Sequence, residues 1–233
     1  MALGASGLDG KLSLGSWLGR RGVALLGGVL LAGCALVKPV DPGWAESASP
    51  ANTWVYRCDK GFDFVARGDG ERVWLFLPQS TVALNRMLGG SGERYLGDGL
   101  SFWRKGEEAT LASAGQTYLC QNDRRAAIWE ASKLNGFDYR AAGNEPGWYL
   151  EIGQGVMSHL VTGYGETRIE FRLPAPQTDQ AARVTVYRLP KERLQIRIEA
   201  KPCSDTMSGE SFASSVRVMW DGQSFSGCGR ALH

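Results

Sequence analysis

The five cysteines are the residues of this chain whose chemistry follows most directly from type and position. One of them ends the segment Leu31-Ala32-Gly33-Cys34 and comes directly after an apolar run, and the other four are Cys58, Cys120, Cys203 and Cys228. If the chain is exported, it enters an oxidising compartment, and four remaining cysteines then predict disulfides. Zinc coordination is the alternative, but no C-x₂-C spacing occurs.

The pairing of the four cysteines depends on where the chain divides. Four cysteines allow three pairings. The pattern of strands changes near residue 123, with two cysteines on each side. We therefore predict the disulfides Cys58–Cys120 and Cys203–Cys228, one in each part.

Glu145 and Asp205 could form a catalytic pair of carboxylates that acts on a glycan or a peptide. No nucleophile–base pair, phosphate-binding loop or metal-ligand cluster accompanies them in the sequence, and the chain has only two histidines. We interpret both acids as residues that cap turns and brace loops around a disulfide. The sequence therefore predicts a protein that is not an enzyme and that has no cofactor and no metal.

The N-terminus is typical of an export signal. Lys11, Arg20 and Arg21 precede an apolar run over residues 23–31 that is too short to span a bilayer comfortably. A cysteine at the small-residue cleavage site resembles the lipobox of bacterial lipoproteins, in which the thiol is lipidated and acyl chains such as palmitate hold the protein on the membrane. Residues 1–33 are thus predicted to be the signal peptide, Cys34 the lipidation site and residues 34–52 a flexible tether. Because Ala35 is not Asp, the resemblance implies the outer membrane, facing the periplasm.

Short alternating segments and 31 glycines predict a mainly β protein. Eight such segments fill residues 53–122, which indicates a small antiparallel sheet or a closed barrel. Residues 123–136 have apolar positions at helical spacing and end at Asn135-Gly136, so we predict a helical linker. Residues 137–233 contain further strands and are predicted to form a second β-rich domain. A net charge of +2 gives no nucleic-acid footprint.

Residues 50–122 resemble the membrane-bound inhibitors of c-type lysozyme. The resemblance rests on an opening Tyr56-x-Cys58, the segment 91–95 (SGERY), the segment 102–109 (FWRKGEEA) and a closing Tyr118-x-Cys120. It implies an eight-stranded antiparallel barrel with one disulfide, and c-type lysozyme as the partner. In that family a serine of the S-G-x-x-Y loop and a lysine of the W-x-K-G segment bind the two catalytic carboxylates of the enzyme.

By motif match, the serine is Ser91 and the lysine is Lys105. The binding set that we predict from the resemblance is Ser91, Gly92, Arg94, Tyr95 and Lys105. Glu93 would repel the lysozyme carboxylates, so we expect it to point outward and Arg94 to offset its charge.

The second part resembles a domain of bacterial envelope lipoproteins that has no settled function. The shared features are segment 143–148 (GNEPGW), segment 203–208 (CSDTMS) and segment 227–229 (GCG). Two alternatives to lysozyme inhibition stay open at this point. One is a structural or binding lipoprotein of the envelope, and the other is an envelope hydrolase that uses Glu145 and Asp205.

Overall fold

The computed structural model describes residues 52–233. The predicted signal peptide, Cys34 and all of the predicted tether except its last residue lie outside the described residues. That last residue, Asn52, begins the first strand. Between residues 52 and 233, no helix combines the length and the apolar character needed to cross a membrane.

Eight antiparallel strands form a closed barrel in which each strand pairs with the next along the chain and the last pairs with the first. The strands are β1 (Asn52–Cys58), β2 (Asp63–Gly68), β3 (Arg72–Leu77), β4 (Ser80–Met87), β5 (Glu93–Gly97), β6 (Leu100–Lys105), β7 (Glu108–Ser113) and β8 (Gln116–Asn122). All eight segments predicted as strands from their alternation are therefore strands. The barrel that the resemblance implied is confirmed.

The barrel is filled by side chains because alternate residues of each strand point inward. Its buried residues include the aromatic side chains of Tyr56, Phe64, Tyr95 and Phe102 and the aliphatic side chains of Val73, Leu75, Leu84 and Leu111. Tyr56 and Phe102 meet edge to face with ring centroids 5.6 Å apart. The barrel is thus a packed core whose contacts with other molecules must be made from its outer surface and its loops.

The predicted disulfide Cys58–Cys120 joins the two strands that close the barrel. Its cysteines are direct partners in the register of β1 and β8, with Cα atoms 3.9 Å apart. The bond links the beginning of the barrel to its end across a sequence separation of 62 residues.

One helix, α1 (Arg124–Leu134), follows the barrel. The carboxylate of Asp123 accepts a hydrogen bond from the Ala126 backbone nitrogen at 3.0 Å, which caps the helix as expected for an Asp at this position. The helix was predicted as a linker, and it also packs. Its Trp129 is buried against Phe212, with ring centroids 5.2 Å apart.

A buried ionic cluster fastens the helix to the sheet that follows. Glu151 accepts hydrogen bonds from Ser132 of the helix and from Arg140, and His159 Nε2 lies 2.6 Å from Glu151 Oε2. Burial alone would raise the pKa of Glu151, but the contact with His159 and the charge of Arg140 hold the pKa below its usual range. The carboxylate is therefore kept ionised with its partners around it.

The remaining chain forms a nine-stranded antiparallel sheet and a separate two-stranded ribbon. The sheet order is β12 (Thr167–Phe171), β11 (Ser158–Thr162), β10 (Gly147–Ile152), β9 (Tyr139–Asn144), β19 (Gln223–Ala231), β18 (Ser214–Trp220), β15 (Leu194–Glu199), β14 (Val184–Leu189) and β13 (Gln177–Asp179). The ribbon pairs β16 (Cys203–Ser204) with β17 (Ser211–Phe212). The core of the nine-stranded sheet includes Trp148, Leu150, Leu160, Phe171, Ile196, Val218 and Phe225.

The fold class predicted from the sequence, mainly β with a barrel, a short helix and a second β-rich part, is confirmed. The second predicted disulfide, Cys203–Cys228, is also present and holds the ribbon against β19. Three short strands, β13, β16 and β17, were not predicted. Each has only two or three residues, which is too short for alternation to be visible.

Candidate functional site

The loop between β4 and β5 carries Ser91 at one end of the barrel. Gly89, Gly90 and Gly92 surround the serine and have φ angles of 116°, 83° and 87°. Ser91 is exposed, and its backbone carbonyl accepts a hydrogen bond from the Trp103 indole nitrogen at 3.0 Å. The loop is therefore attached to β6 through its backbone, which leaves the Ser91 hydroxyl at the surface.

Gly92 brings this loop against the end of β6. A Cβ atom at Gly92 would lie 2.5 Å from the Arg104 carbonyl oxygen and 3.3 Å from the Lys105 Cβ. No side chain fits at the first of these distances, and the positive φ angle independently favours glycine. Gly92 is thus the contact that places Ser91 beside Lys105.

Lys105 is the last residue of β6 and is exposed. Its ammonium group makes no ion pair or hydrogen bond with any residue from 52 to 233. The neighbouring acid, Glu107, is occupied by Arg124 and by the Asn122 amide, which donates at 2.7 Å. Hydrogen bonds from Arg124 and Asn122 lower the pKa of Glu107 to about 2. The Lys105 ammonium is available to a carboxylate from outside.

The structure places Tyr95 differently from the predicted binding set. Tyr95 is only 1% exposed and lies in the barrel core, stacked on Phe102 at a centroid distance of 6.1 Å. In β5 the residues alternate between the two faces of the barrel wall, and Tyr95 falls on the inner face. The inclusion of Tyr95 among surface residues that touch a partner is therefore corrected: it supports the loop from inside.

The charge of Glu93 is offset by a residue other than the predicted one. Glu93 pairs with Arg104 at 2.8 Å and accepts a hydrogen bond from the Tyr95 hydroxyl at 2.9 Å. Burial by itself would raise the pKa of Glu93, but these bonds lower it below its usual range. Arg94 is exposed on the outer face of β5, so Arg104 and not Arg94 neutralises Glu93.

Leu88 is a surface residue that the sequence analysis missed. It precedes the glycines of the loop and is 100% exposed, beside Met87 at 45%. A large apolar side chain that touches nothing in its own chain is a signal of contact with a partner when it lies next to other candidate binding groups. Its exposure was hard to predict from the sequence, because Leu88 continues the apolar pattern of β4.

The two acids considered for catalysis lie in different loops of the second part of the chain. Glu145 is exposed in the hairpin between β9 and β10. The Asp205 carboxylate accepts hydrogen bonds from the Ser208 hydroxyl at 2.6 Å, the Ser208 backbone nitrogen at 2.7 Å and the Asn144 amide at 2.8 Å. The hydrogen bonds, above all those from Ser208, lower the pKa of Asp205 to about 2. Asp205 thus braces its loop, and its oxygens are already occupied.

A family comparison agrees with the barrel and its loop. The sequence model of the family described as membrane-bound lysozyme-inhibitor of c-type lysozyme matches residues 56–123, a range that includes the Ser91 loop and Lys105. No curated protein and no solved structure matches the chain. The match supports lysozyme inhibition as the general function and association with a membrane as its setting. Residues 56–123, which lie within the barrel and the residue that follows it, are thus similar to this lysozyme-inhibitor family.

Proposed function

We propose that the barrel inhibits c-type lysozyme by placing Ser91 and Lys105 in the active-site cleft of the enzyme. The observation that carries the proposal is the close approach of Gly92 to the end of β6. It brings the loop that carries the exposed Ser91 hydroxyl to the end of β6, where the exposed Lys105 ammonium has no ion-pair partner among residues 52–233. Such a pair suits a cleft that contains two carboxyl groups in different protonation states.

The chemistry of a retaining glycosidase explains the choice of groups. Its cleft holds one protonated and one ionised carboxyl group roughly 5 Å apart. A hydroxyl both donates and accepts hydrogen bonds, so Ser91 can bond to either carboxyl group. The Lys105 ammonium pairs with the ionised carboxylate in a charge-assisted bond, which is stronger than a bond between neutral groups.

Arginines compensate the charges of two acids near Ser91 and Lys105. Glu93 is paired with Arg104 at 2.8 Å, and Glu107 is paired with Arg124. The Arg104 guanidinium also lies over the Trp54 ring, 4.1 Å from its centroid, which fixes its position. The charges of Glu93 and Glu107 are therefore already compensated when a lysozyme carboxylate approaches Lys105.

The loop is held in shape before the partner arrives. The Trp103–Ser91 hydrogen bond and the contact of Gly92 with the Arg104 carbonyl both attach it to β6. A binding loop that is ordered in the unbound protein loses less conformational entropy on binding. Leu88 adds an apolar surface to the same loop, and we propose that it packs against the wall of the cleft.

Substitution of the two residues tests the mechanism. Lys105→Ala would leave a buried lysozyme carboxylate without its cation and is expected to weaken binding by about 2–5 kcal/mol. Ser91→Ala removes hydrogen bonds to a charged group and is expected to cost about 1.5–3 kcal/mol. Inhibition is measured by lysozyme turbidity assay, and affinity by calorimetry.

Ser80→Ala and Lys191→Ala are matched controls. Ser80 is an exposed serine at the opposite end of β4, and Lys191 is an exposed lysine far from the barrel in the sequence. Neither control should change inhibition. If the Ser91→Ala/Lys105→Ala double variant keeps a normal circular dichroism spectrum and still inhibits as strongly as the unsubstituted protein, the mechanism is wrong.

We further propose that the barrel is held at the outer membrane, facing the periplasm, by a lipid on Cys34. The support is the sequence around Cys34, and residues 35–51 then separate the lipid from β1. Cys34→Ser is expected to abolish labelling by radioactive palmitate and to release the protein into the soluble fraction. Membrane fractionation that remains unchanged in the variant would contradict the anchor.

A further inference from the structure

Three separate segments of the second part of the chain converge on one pocket. They are residues 142–144 at the end of β9, residues 203–206 in and after β16, and residues 226–228 in β19. The pocket has a volume of about 360 Å³ and lies on the face of the nine-stranded sheet opposite its hydrophobic core. Each segment belongs to one of the three motifs singled out in the sequence of this region.

Two glycines allow the inner side of the pocket floor to pack closely. A Cβ atom at Gly143 would lie 2.2 Å from the Trp148 indole nitrogen, and one at Gly227 would lie 2.1 Å from the Ala142 carbonyl oxygen. The Trp148 indole fills the space beneath both and donates a hydrogen bond to the Ser226 carbonyl at 3.2 Å. The floor is therefore rigid.

The rim of the pocket is equally fixed. The Cys203–Cys228 disulfide attaches the rim segment to β19, and Asp205 organises the following loop through Ser208 and Asn144. The Arg125 guanidinium of α1 lies 3.8 Å from the Asp205 carboxylate. Asp205 shapes the wall, and its oxygens are already occupied by hydrogen bonds from Ser208 and Asn144.

Two arginines that line the pocket lie directly opposite each other on neighbouring strands. Arg197 of β15 and Arg217 of β18 are register partners, and Ser226 of β19 is the next partner in the same row. Like charges at directly opposite positions of antiparallel strands are destabilising. Glu199 pairs with Arg197 at 2.9 Å, whereas Arg217 has no carboxylate partner among residues 52–233.

We propose that this pocket binds a single sugar that carries a phosphate or carboxylate group. The anionic group binds Arg217, which lacks the carboxylate partner that Arg197 has in Glu199, since guanidinium groups bind both kinds of oxyanion in a forked geometry. Asn144, Ser204, Thr206 and Ser215 supply amide and hydroxyl groups for the sugar ring. A volume near the lower end of small-molecule sites fits one sugar unit better than a polymer.

Calorimetric titration of the full chain tests the proposal with three related probes. N-acetylmuramic acid carries a carboxylate, N-acetylglucosamine 1-phosphate carries a phosphate, and N-acetylglucosamine is neutral. We expect at least one acidic probe to bind at least tenfold more tightly than the neutral sugar. The acidic probe that binds identifies which oxyanion the pocket accepts. Equal binding of all three, or binding of none, would overturn the proposal.

Variants of the pocket separate its charge from its fold. Arg217→Gln should lower the affinity for the acidic probe at least tenfold, and Arg217→Lys should retain part of that affinity. Arg183→Gln, which removes an exposed arginine in the turn before β14, is the matched control and should bind normally. Unchanged affinity in Arg217→Gln would refute the site. Because Arg217 lies outside the barrel, Arg217→Gln should inhibit lysozyme normally, so the outcome here is independent of the proposed inhibition.

Discussion

The barrel and the nine-stranded sheet both rest on antiparallel pairing and one disulfide, yet they present polar groups in opposite ways. The barrel closes on itself around aromatic side chains, so Ser91 and Lys105 stand on its outer end. The sheet stays open, and the segment after β16 crosses one of its faces and leaves a concave space beneath it. A closed, filled barrel favours insertion into a partner, whereas a partly covered sheet favours the reception of a small ligand.

The two regions also differ in how glycine shapes the candidate site. At Gly92 the absence of a side chain lets a loop approach the Arg104 carbonyl from outside the barrel. At Gly143 it lets the Trp148 indole support the pocket floor from the core side. In both regions the glycine allows a close approach that positions other residues.

The largest effect that separates the two regions is expected from their disulfides. In the chain-entropy relation, the Cys58–Cys120 bond, with a sequence separation of 62, stabilises by about 4.3 kcal/mol, and the Cys203–Cys228 bond, with a separation of 25, by about 3.5 kcal/mol. We expect Cys58→Ser/Cys120→Ser to lower the free energy of unfolding more than Cys203→Ser/Cys228→Ser does. Urea titration followed by tryptophan fluorescence measures both losses.

The same variants should also separate the two proposed functions. Loss of the first disulfide frees the strands that close the barrel, whereas loss of the second frees the rim of the pocket. We therefore expect weaker lysozyme inhibition in the first variant and weaker binding of an acidic sugar in the second. A non-reducing peptide map of the unsubstituted protein is the control, and bonds between the two parts of the chain would contradict the comparison.

A smaller effect is expected from the glycines of the Ser91 loop. Gly92→Ala places a methyl group against the Arg104 carbonyl, and the positive φ angle adds strain. We expect the loss in free energy of lysozyme binding and the loss in free energy of unfolding to add up to about 3 kcal/mol. Gly90→Ala has a similar φ angle but no atom within 4 Å of the added Cβ, so about 1 kcal/mol is expected. Calorimetry with lysozyme and urea unfolding give the two quantities.

Equal losses in the two alanine variants would show that the approach of Gly92 to β6 has no special role. The acidic-sugar pocket provides the control, because neither glycine contacts it. Its affinity for the acidic probe should stay at the value of the unsubstituted protein in both variants.

The sequence predicted the barrel well because its strands alternate cleanly and are joined by short turns. Every second residue of β2 is buried, for example, so Phe64 and Ala66 mark the inner face directly. The inward position of Tyr95 could have been predicted from the same alternation. A motif that is recognised as a unit does not say which of its residues face inward, whereas the alternation from Glu93 to Gly97 does.

The pocket of the second sheet could not be predicted from spacing. Arg197 and Arg217 are twenty positions apart, and only the register of β15 with β18 brings them opposite each other. The salt bridge between Glu93 and Arg104 has the same origin in the register of β5 with β6. Register depends on the packing of whole strands and their turns, so a charged pair of this kind becomes visible only in the folded structure.

The smallest expected effect is a loss of stability at low pH, to which Asp205 of the second region and Glu107 of the barrel both contribute. Both carboxylates have a pKa of about 2 in the folded protein, Asp205 mainly through Ser208 and Glu107 mainly through Arg124. A carboxyl group whose pKa is lowered by folding stabilises the fold above its unfolded pKa. That contribution disappears as the pH falls through the folded value. Stability should therefore decline between about pH 4 and pH 2.

Asp205→Asn and Glu107→Gln should each make the decline in stability with falling pH shallower. The chemical shift of the Ser208 amide proton distinguishes the two variants. The Ser208 amide donates directly to Asp205, so its proton chemical shift should titrate with a midpoint near pH 2 in the unsubstituted protein and should not titrate in Asp205→Asn. In Glu107→Gln the same signal should be unaffected, because Glu107 binds Asn122 at the end of β8 and Arg124 at the start of α1. A Ser208 midpoint near the ordinary carboxyl value would mean that the loop is not held by Asp205. The pocket wall would then lack the rigidity on which its binding of a single acidic sugar depends.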